Sequence, residues 1–319
     1  MIPVVILDSY ALNPGDLSWD KLQEKASCTI YPRTKPEETA LRIGNAQAVI
    51  TNKVPVTEAI MNQCTELKYI GVMATGYNII DVEAAKKRNI VVTNVPAYST
   101  NAVAQHVFAL ILDFYSSVHE YAQDVANGGW IKSPDFSYML KPMMELYGKT
   151  LGIAGYGSIG RQVAKIEKAF GMNVICYTRT PARIPKEDGI KTVTREELFA
   201  LSDILTIHCP LTDETKNMIN ENTLSLMKKS ALLINTARGP IADETALAHA
   251  LQNNTIMGYG TDVLCTEPMQ KTNELYKLPN VRITPHVAWS PKETRERLMN
   301  VIVQNFSAWL DGHPQNCVY

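Results

Sequence analysis

The chain has 319 residues, 45% of them hydrophobic and 20% charged, with a formal net charge of -1. That length passes the roughly 250 to 300 residues at which single cores stop growing, so two domains are expected. A near-neutral charge without a basic stripe lacks the electrostatic footprint of a nucleic-acid binder, and no run reaches the ~18 apolar residues that a membrane-spanning helix requires.

The opening Met1-Ile-Pro-Val-Val-Ile-Leu-Asp8 carries no basic leader or small-residue cleavage site and reads as a first strand, which places the protein in the cytoplasm. Cys28, Cys64, Cys176, Cys209, Cys265 and Cys317 are scattered, with no C-x-x-C pair and no Cys/His cluster at metal spacing. That usage fits a reducing compartment, so neither disulfides nor a metal is expected. Short β-branched runs at Val4 to Leu7, Ala48 to Thr51, Tyr69 to Val72 and Ile90 to Thr93 alternate with helical patterns, the signature of βα units on a parallel sheet. After a hinge near Pro96, the apolar spacing predicts one long helix over Ala102 to Val118. Residues 128–148 are irregular but hold Trp130, Phe136, Tyr138 and Tyr147, so this excursion is expected to be buried against something, a second subunit being the candidate. Six further strands follow, at Thr150 to Ala154, Asn173 to Tyr177, Ile204 to His208, Ala231 to Asn235, Ile256 to Gly260 and Val281 to Thr284. A last helix, Lys292 to Leu310, has the length to return to the first domain.

The string Gly155-Tyr-Gly157-Ser-Ile-Gly160 stands between a strand and a helix. In that setting the first glycine permits the turn, the second admits a pyrophosphate to the backbone, and the third packs helix on strand. The helix amides then face the phosphates, and a nicotinamide dinucleotide is expected there. About 20 residues on, an acid usually holds the adenosine ribose. This chain has Thr178-Arg179-Thr180 instead. An arginine flanked by hydroxyls binds a 2′-phosphate, which leans NAD(P)H usage toward NADPH, with a solvated arginine beside a tolerant NADH site as the alternative.

Three polar stretches follow later strands, where open α/β sheets bind ligands. Arg238 in Asn-Thr-Ala-Arg-Gly can pair with a carboxylate and polarise a carbonyl. His286 in Thr-Pro-His can give a proton near neutral pH, and a carboxylate such as Glu267 beside it would keep that acid charged. Taken singly, each has an ordinary reading, as a surface ion pair, a turn residue and a satisfied histidine.

Taken with the glycine turn, these stretches resemble the D-isomer-specific 2-hydroxyacid dehydrogenases. The resemblance runs from Val92 to the last helix and more loosely over the whole chain. It implies catalytic roles for Arg238, Glu267 and His286, and cofactor contacts from Ser158, Ile159, Cys209, Pro210, Thr215, Thr236, Ala237 and Asp262. It implies a Rossmann-type doubly wound domain over residues 99–290 and a smaller flavodoxin-like substrate domain from residues 1–98 plus 291–319. Substrate carboxylate would meet the turn Met73-Ala74-Thr75-Gly76 with Asn52 and Lys53 nearby, and dimerisation would run through the cofactor domain. The stretches Leu7 to Trp19, Gly71 to Asn78 and His286 to Trp289 look most like the glycerate dehydrogenase, or hydroxypyruvate reductase, branch. A small polar pocket walled by Trp289 suits a short hydroxylated acid. A broader glyoxylate or 2-ketoacid reductase is the rival, and a dinucleotide-sensing corepressor of the same fold is the reading from another class.

Overall fold

The computed structural model describes residues 1–185 and 188–319. The chain divides into two compact units, Met1–Ser99 with Ser290–Tyr319, and Thr100–Trp289. Each is an α/β unit on a parallel sheet.

The first unit carries β1 (Ile2–Ile6), β2 (Ala26–Ile30), β3 (Ala48–Thr51), β4 (Tyr69–Val72) and β5 (Val91–Thr93), with short helices α1 (Asp20–Gln23), α2 (Thr39–Ile43), α3 (Glu58–Gln63) and α4 (Val82–Lys87) between them. The strand order is β2-β1-β3-β4-β5, the flavodoxin-like arrangement. All four residues of β3 and of β4 are buried, as expected where helices cover both faces of a parallel sheet. Strand β2 escaped the sequence reading although Ala26, Cys28 and Ile30 alternate with polar residues, because at the sheet edge two of its three apolar side chains are small.

The second unit opens with α5 (Thr100–Ser116), α6 (Val118–Ala126) and α7 (Gly129–Lys132). The single long helix expected to Val118 is two helices, because Ser117 takes a left-handed φ of 51° and ends the first. Then come β6 (Thr150–Ala154), α8 (Ser158–Ala169), β7 (Asn173–Tyr177), β8 (Lys191–Thr192), α9 (Arg195–Leu201), β9 (Ile204–Ile207), α10 (Glu221–Ser225), β10 (Leu232–Asn235), α11 (Glu244–Gln252), β11 (Gly258–Thr261) and β12 (Val281–Ile283). The sheet order is β12-β11-β10-β9-β6-β7-β8, seven strands among the described residues rather than six, the extra one being the two-residue edge strand β8. Helix α12 (Lys292–Leu310) closes the chain within the first unit, where Phe306 and Trp309 stack around Tyr69.

Each sheet reverses its winding direction once, between β1 and β3 and between β6 and β9. Those are the places where the carboxyl ends of strands diverge and leave a crevice. Among the described residues no helix is long and apolar enough to cross a membrane, and no group of three or more His, Cys, Asp or Glu is placed to hold a metal.

Candidate active site

The glycine turn lies between β6 and α8, at the switch point of the second sheet. Gly155 has φ 96°, and a Cβ there would sit 2.7 Å from the backbone nitrogen of Cys209, so neither the conformation nor the space admits a side chain. A Cβ at Gly157 would meet nothing within 4 Å, which leaves the room a pyrophosphate needs at the start of α8.

One cavity of about 750 Å³ opens there, lined by Gly155, Gly157, Thr178, Arg179, Thr180, Cys209, Pro210 and Thr215 among the residues read from the sequence. Ser158 faces a smaller recess beside it. Ile159 packs against the core formed with α5, and Gly160 is buried against the carbonyl oxygen of Gly155. Thr236 and Ala237 follow β10, and the Thr236 hydroxyl is buried without a partner. The sequence reading missed Tyr156, Arg161, Arg195, His208 and Glu214 on the same cavity. His208 is held neutral by burial, its pKa pushed down to about 3, and its Nε2 is also without a partner. Arg179 Nη1 stands 3.5 Å from Glu214 Oε2, and both side chains are more than half exposed. Two orphaned buried polar atoms and a roomy glycine turn fit a nicotinamide dinucleotide.

The catalytic candidates follow β10, β11 and β12 of the same sheet. Arg238 is exposed on a turn that Asn235 braces, its side chain accepting from the Ala237 amide and donating to the Arg238 carbonyl oxygen, each at 3.0 Å. The Arg238 guanidinium itself donates to the Ala237 carbonyl oxygen at 2.7 Å. Gly239 brings this turn onto the next loop, since a Cβ on it would overlap the backbone of Leu264 and Cys265 at 2.0 to 2.4 Å.

Glu267 Oε2 lies 2.7 Å from His286 Nδ1, while its other oxygen accepts the Leu264 amide at 3.0 Å. A carboxylate can only accept, so Nδ1 carries the proton and Nε2 is the nitrogen turned to other chemistry. His286 holds a left-handed φ of 55°, a conformation costing about 1 to 3 kcal/mol and kept only where surroundings over-determine it. Asp262, 2% exposed, supplies part of that determination by accepting the Val287 and Ala288 amides, each at 2.8 Å. Trp289 follows, half-buried.

In the first unit, buried Asp8 accepts the amides of Asn52 at 2.8 Å, Lys53 at 2.6 Å and Val54 at 3.3 Å, and burial raises its pKa against those hydrogen bonds. Asn52 Nδ2 donates to the Met73 carbonyl oxygen at 2.6 Å. The turn beyond is held by Thr75, whose hydroxyl donates to the Val95 carbonyl oxygen at 2.8 Å. Among the described residues the amides of Ala74, Thr75 and Gly76 donate to no protein acceptor, leaving three N–H groups for an anion.

The model of the D-isomer specific 2-hydroxyacid dehydrogenase NAD-binding domain matches residues 108–288. A hydroxypyruvate reductase of Blautia hydrogenotrophica is 40% identical over 318 residues, 99% of each chain. A glycerate dehydrogenase of Methylorubrum extorquens is 42% identical over 285 residues, 89% of this chain and 88% of the other. Among solved structures, the NADPH-dependent glyoxylate/hydroxypyruvate reductase of Sinorhizobium meliloti superposes with a TM-score of 0.85 at 28% identity, covering 100% of this chain and 98% of the other. With a family model over more than half its length and relatives of this identity over nearly all of it, the chain belongs to the D-isomer-specific 2-hydroxyacid dehydrogenases, oxidoreductases that act on the CH–OH group with a nicotinamide dinucleotide.

Proposed function

We propose that this protein interconverts hydroxypyruvate and D-glycerate, and that it prefers NADPH to NADH. The observation that carries the chemistry is the Glu267–His286 pair, which sits at the carboxyl edge of the sheet whose switch point holds the dinucleotide cavity. The bound dinucleotide supplies the hydride in reduction. His286, kept in orientation by Glu267, delivers the proton to the carbonyl oxygen through Nε2 and takes it back in the oxidative direction. Arg238 pairs with the substrate carboxylate and polarises the carbonyl. Within the substrate domain, the unspent amides of residues 74–76, with Asn52 and Lys53 nearby, are assigned as an anion site suited to a carboxylate; within the cofactor domain, Trp289 is assigned to limit the size of the acid. Residues 1–98 plus 291–319 are assigned as the substrate domain and 99–290 as the cofactor domain.

Support for the substrate comes from the hydroxypyruvate reductase and glycerate dehydrogenase relatives. The Sinorhizobium neighbour reduces glyoxylate as well, which keeps a broader reductase as the second reading. Support for NADPH comes from Arg179 between two threonines on the cavity wall, with no acid at the end of β7. The Glu214 partner is exposed and its ion pair is worth only about 0 to 1 kcal/mol, so a 2′-phosphate displaces it easily. Scattered free thiols fit a reducing, cytoplasmic setting.

Nicotinamide absorbance with hydroxypyruvate, glyoxylate and pyruvate under both cofactors tests this reading. The highest kcat/KM is expected with hydroxypyruvate and NADPH, and Arg179→Ala is expected to cut kcat/KM for NADPH by about 10- to 100-fold while sparing NADH, a charge-assisted contact being worth about 1.5 to 3 kcal/mol. Inertness toward all three acids ends the proposal; a wild-type preference for NADH ends its cofactor half.

A further inference from the structure

His106, midway along α5, is far from the catalytic residues in sequence, and its ring bonds to the base of the loop that carries His286. Its Nε2 lies 2.9 Å from the Thr284 hydroxyl and 3.7 Å from Asp262 Oδ1. The Thr284 hydroxyl in turn lies 2.6 Å from Asp262 Oδ1. That hydroxyl has one proton and two acceptors within reach, the Asp262 carboxylate and the Thr261 carbonyl oxygen at 3.4 Å. The carboxylate contact is shorter and charge-assisted, so the proton goes there. The Thr284 oxygen is then an acceptor toward His106, and the histidine must carry its proton on Nε2.

We infer that His106 is a positioning residue for His286, acting through Thr284 and Asp262. By donating to the Thr284 oxygen, His106 fixes the hydroxyl rotor toward Asp262. Asp262 Oδ1 then holds both Thr284 and the Val287 amide, Oδ2 holds the Ala288 amide, and the chain on both sides of His286 is tied to one buried carboxylate. Between those ties His286 is held at φ 55°, its own amide donating to the Thr284 carbonyl oxygen at 2.9 Å, with Nδ1 presented to Glu267. Without His106 the Thr284 oxygen loses the donor that ties it to α5, and Thr284 and Asp262 lose that anchor. The loop then loosens at the residue that must meet the substrate within a fraction of an ångström.

This inference rests on the proton-transfer role of His286, so the experiment carries both. Steady-state kinetics with hydroxypyruvate, cofactor titration and thermal melts are run on the wild type, His286→Asn, His106→Ala and His106→Gln, where the glutamine amide restores an N–H donor of similar reach. His106→Ala is expected to lower kcat by about 10- to 100-fold, the scale of a small misplacement of a reacting group, with substrate KM and cofactor Kd within about twofold. His106→Gln is expected to regain most of the kcat. If His286→Asn is inactive while His106→Ala keeps full kcat, the relay is wrong and the role of His286 stands. If His286→Asn is fully active, the reading of the site fails and the relay with it. Loss of kcat in His106→Ala that His106→Gln does not restore, whether the protein melts early or normally, also overturns the relay.

Discussion

Replacing His286 by asparagine keeps a polar group near Glu267 but removes the proton on Nε2. Because positioned proton transfer contributes about 10² to 10⁴ in rate, kcat is expected to fall by that factor, with cofactor affinity unchanged within about twofold. Steady-state kinetics and a fluorescence titration of reduced cofactor read the two quantities. Arg238 could be picked out along the chain because it follows the strongly apolar strand β10, whereas Glu267 and His286, after Gly-Tyr-Gly-Thr and Val-Arg-Ile, stand out only together with Arg238 and the glycine turn. The expectation that Glu267 stands beside His286 is met by a 2.7 Å hydrogen bond across 19 residues, which the side-by-side pairing of β11 and β12 makes possible by bringing their loops together. Strand order hid Glu214, which reaches Arg179 because the sheet places the ends of β7 and β9 on either side of β6.

At the scale of an element, α8 is the clearest case of a legible signal passed over. Gly160, Val163, Ala164 and Glu167 recur at helical spacing, so one buried face includes a carboxylate. Glu167 is fully buried, neither of its oxygens has a partner, and burial raises its pKa to about 8. Its folded pKa is above the unfolded value of 4.5, so the native state binds the extra proton between those two values. Stability from this group is therefore fully present below about pH 4.5 and is lost as pH rises through about 8, at up to about 1.4 kcal/mol per pH unit. Glu167→Gln is expected to melt several degrees above the wild type at pH 8.5, with the gap closing toward pH 5. Parallel melting curves across that range check it, and a constant gap would mean the carboxyl is already paired. Helix α5 teaches the opposite lesson: apolar spacing runs through Ser117 unbroken, and only the left-handed backbone there divides it from α6.

For the whole molecule, the segment from α6 to β6 displays Val118, Trp130, Ile131, Phe136, Met139 and Tyr147 to solvent. A monomer rarely exposes so many large apolar side chains along one stretch, and such patches mark protein interfaces. Trp130, Phe136 and Tyr147, expected to be buried against something such as a second subunit, are exposed within the single chain, and a second copy of the cofactor domain is the partner we propose for this stretch. Light scattering is expected to give a mass near twice the 35.5 kDa chain. Ile131→Asp with Phe136→Asp is expected to shift that mass toward the monomer, and a monomeric wild type refutes the assignment.

What the sequence determined by itself is local and periodic: alternating strands and helices that demand parallel α/β sheets, a glycine turn between β6 and α8, and polar residues after apolar strands. These follow from backbone sterics, hydrophobic period and turn chemistry, which act over a few residues. Edge strand β8, two polar residues, carries no apolar pattern to announce itself, and β2 alternates but with small side chains. The tertiary structure alone decided which polar residues share a hydrogen bond, where Asp8 and Asp262 spend their carboxylates, and that His106 reaches Thr284. Those outcomes depend on strand order, and strand order is set by packing between segments that lie far apart along the chain.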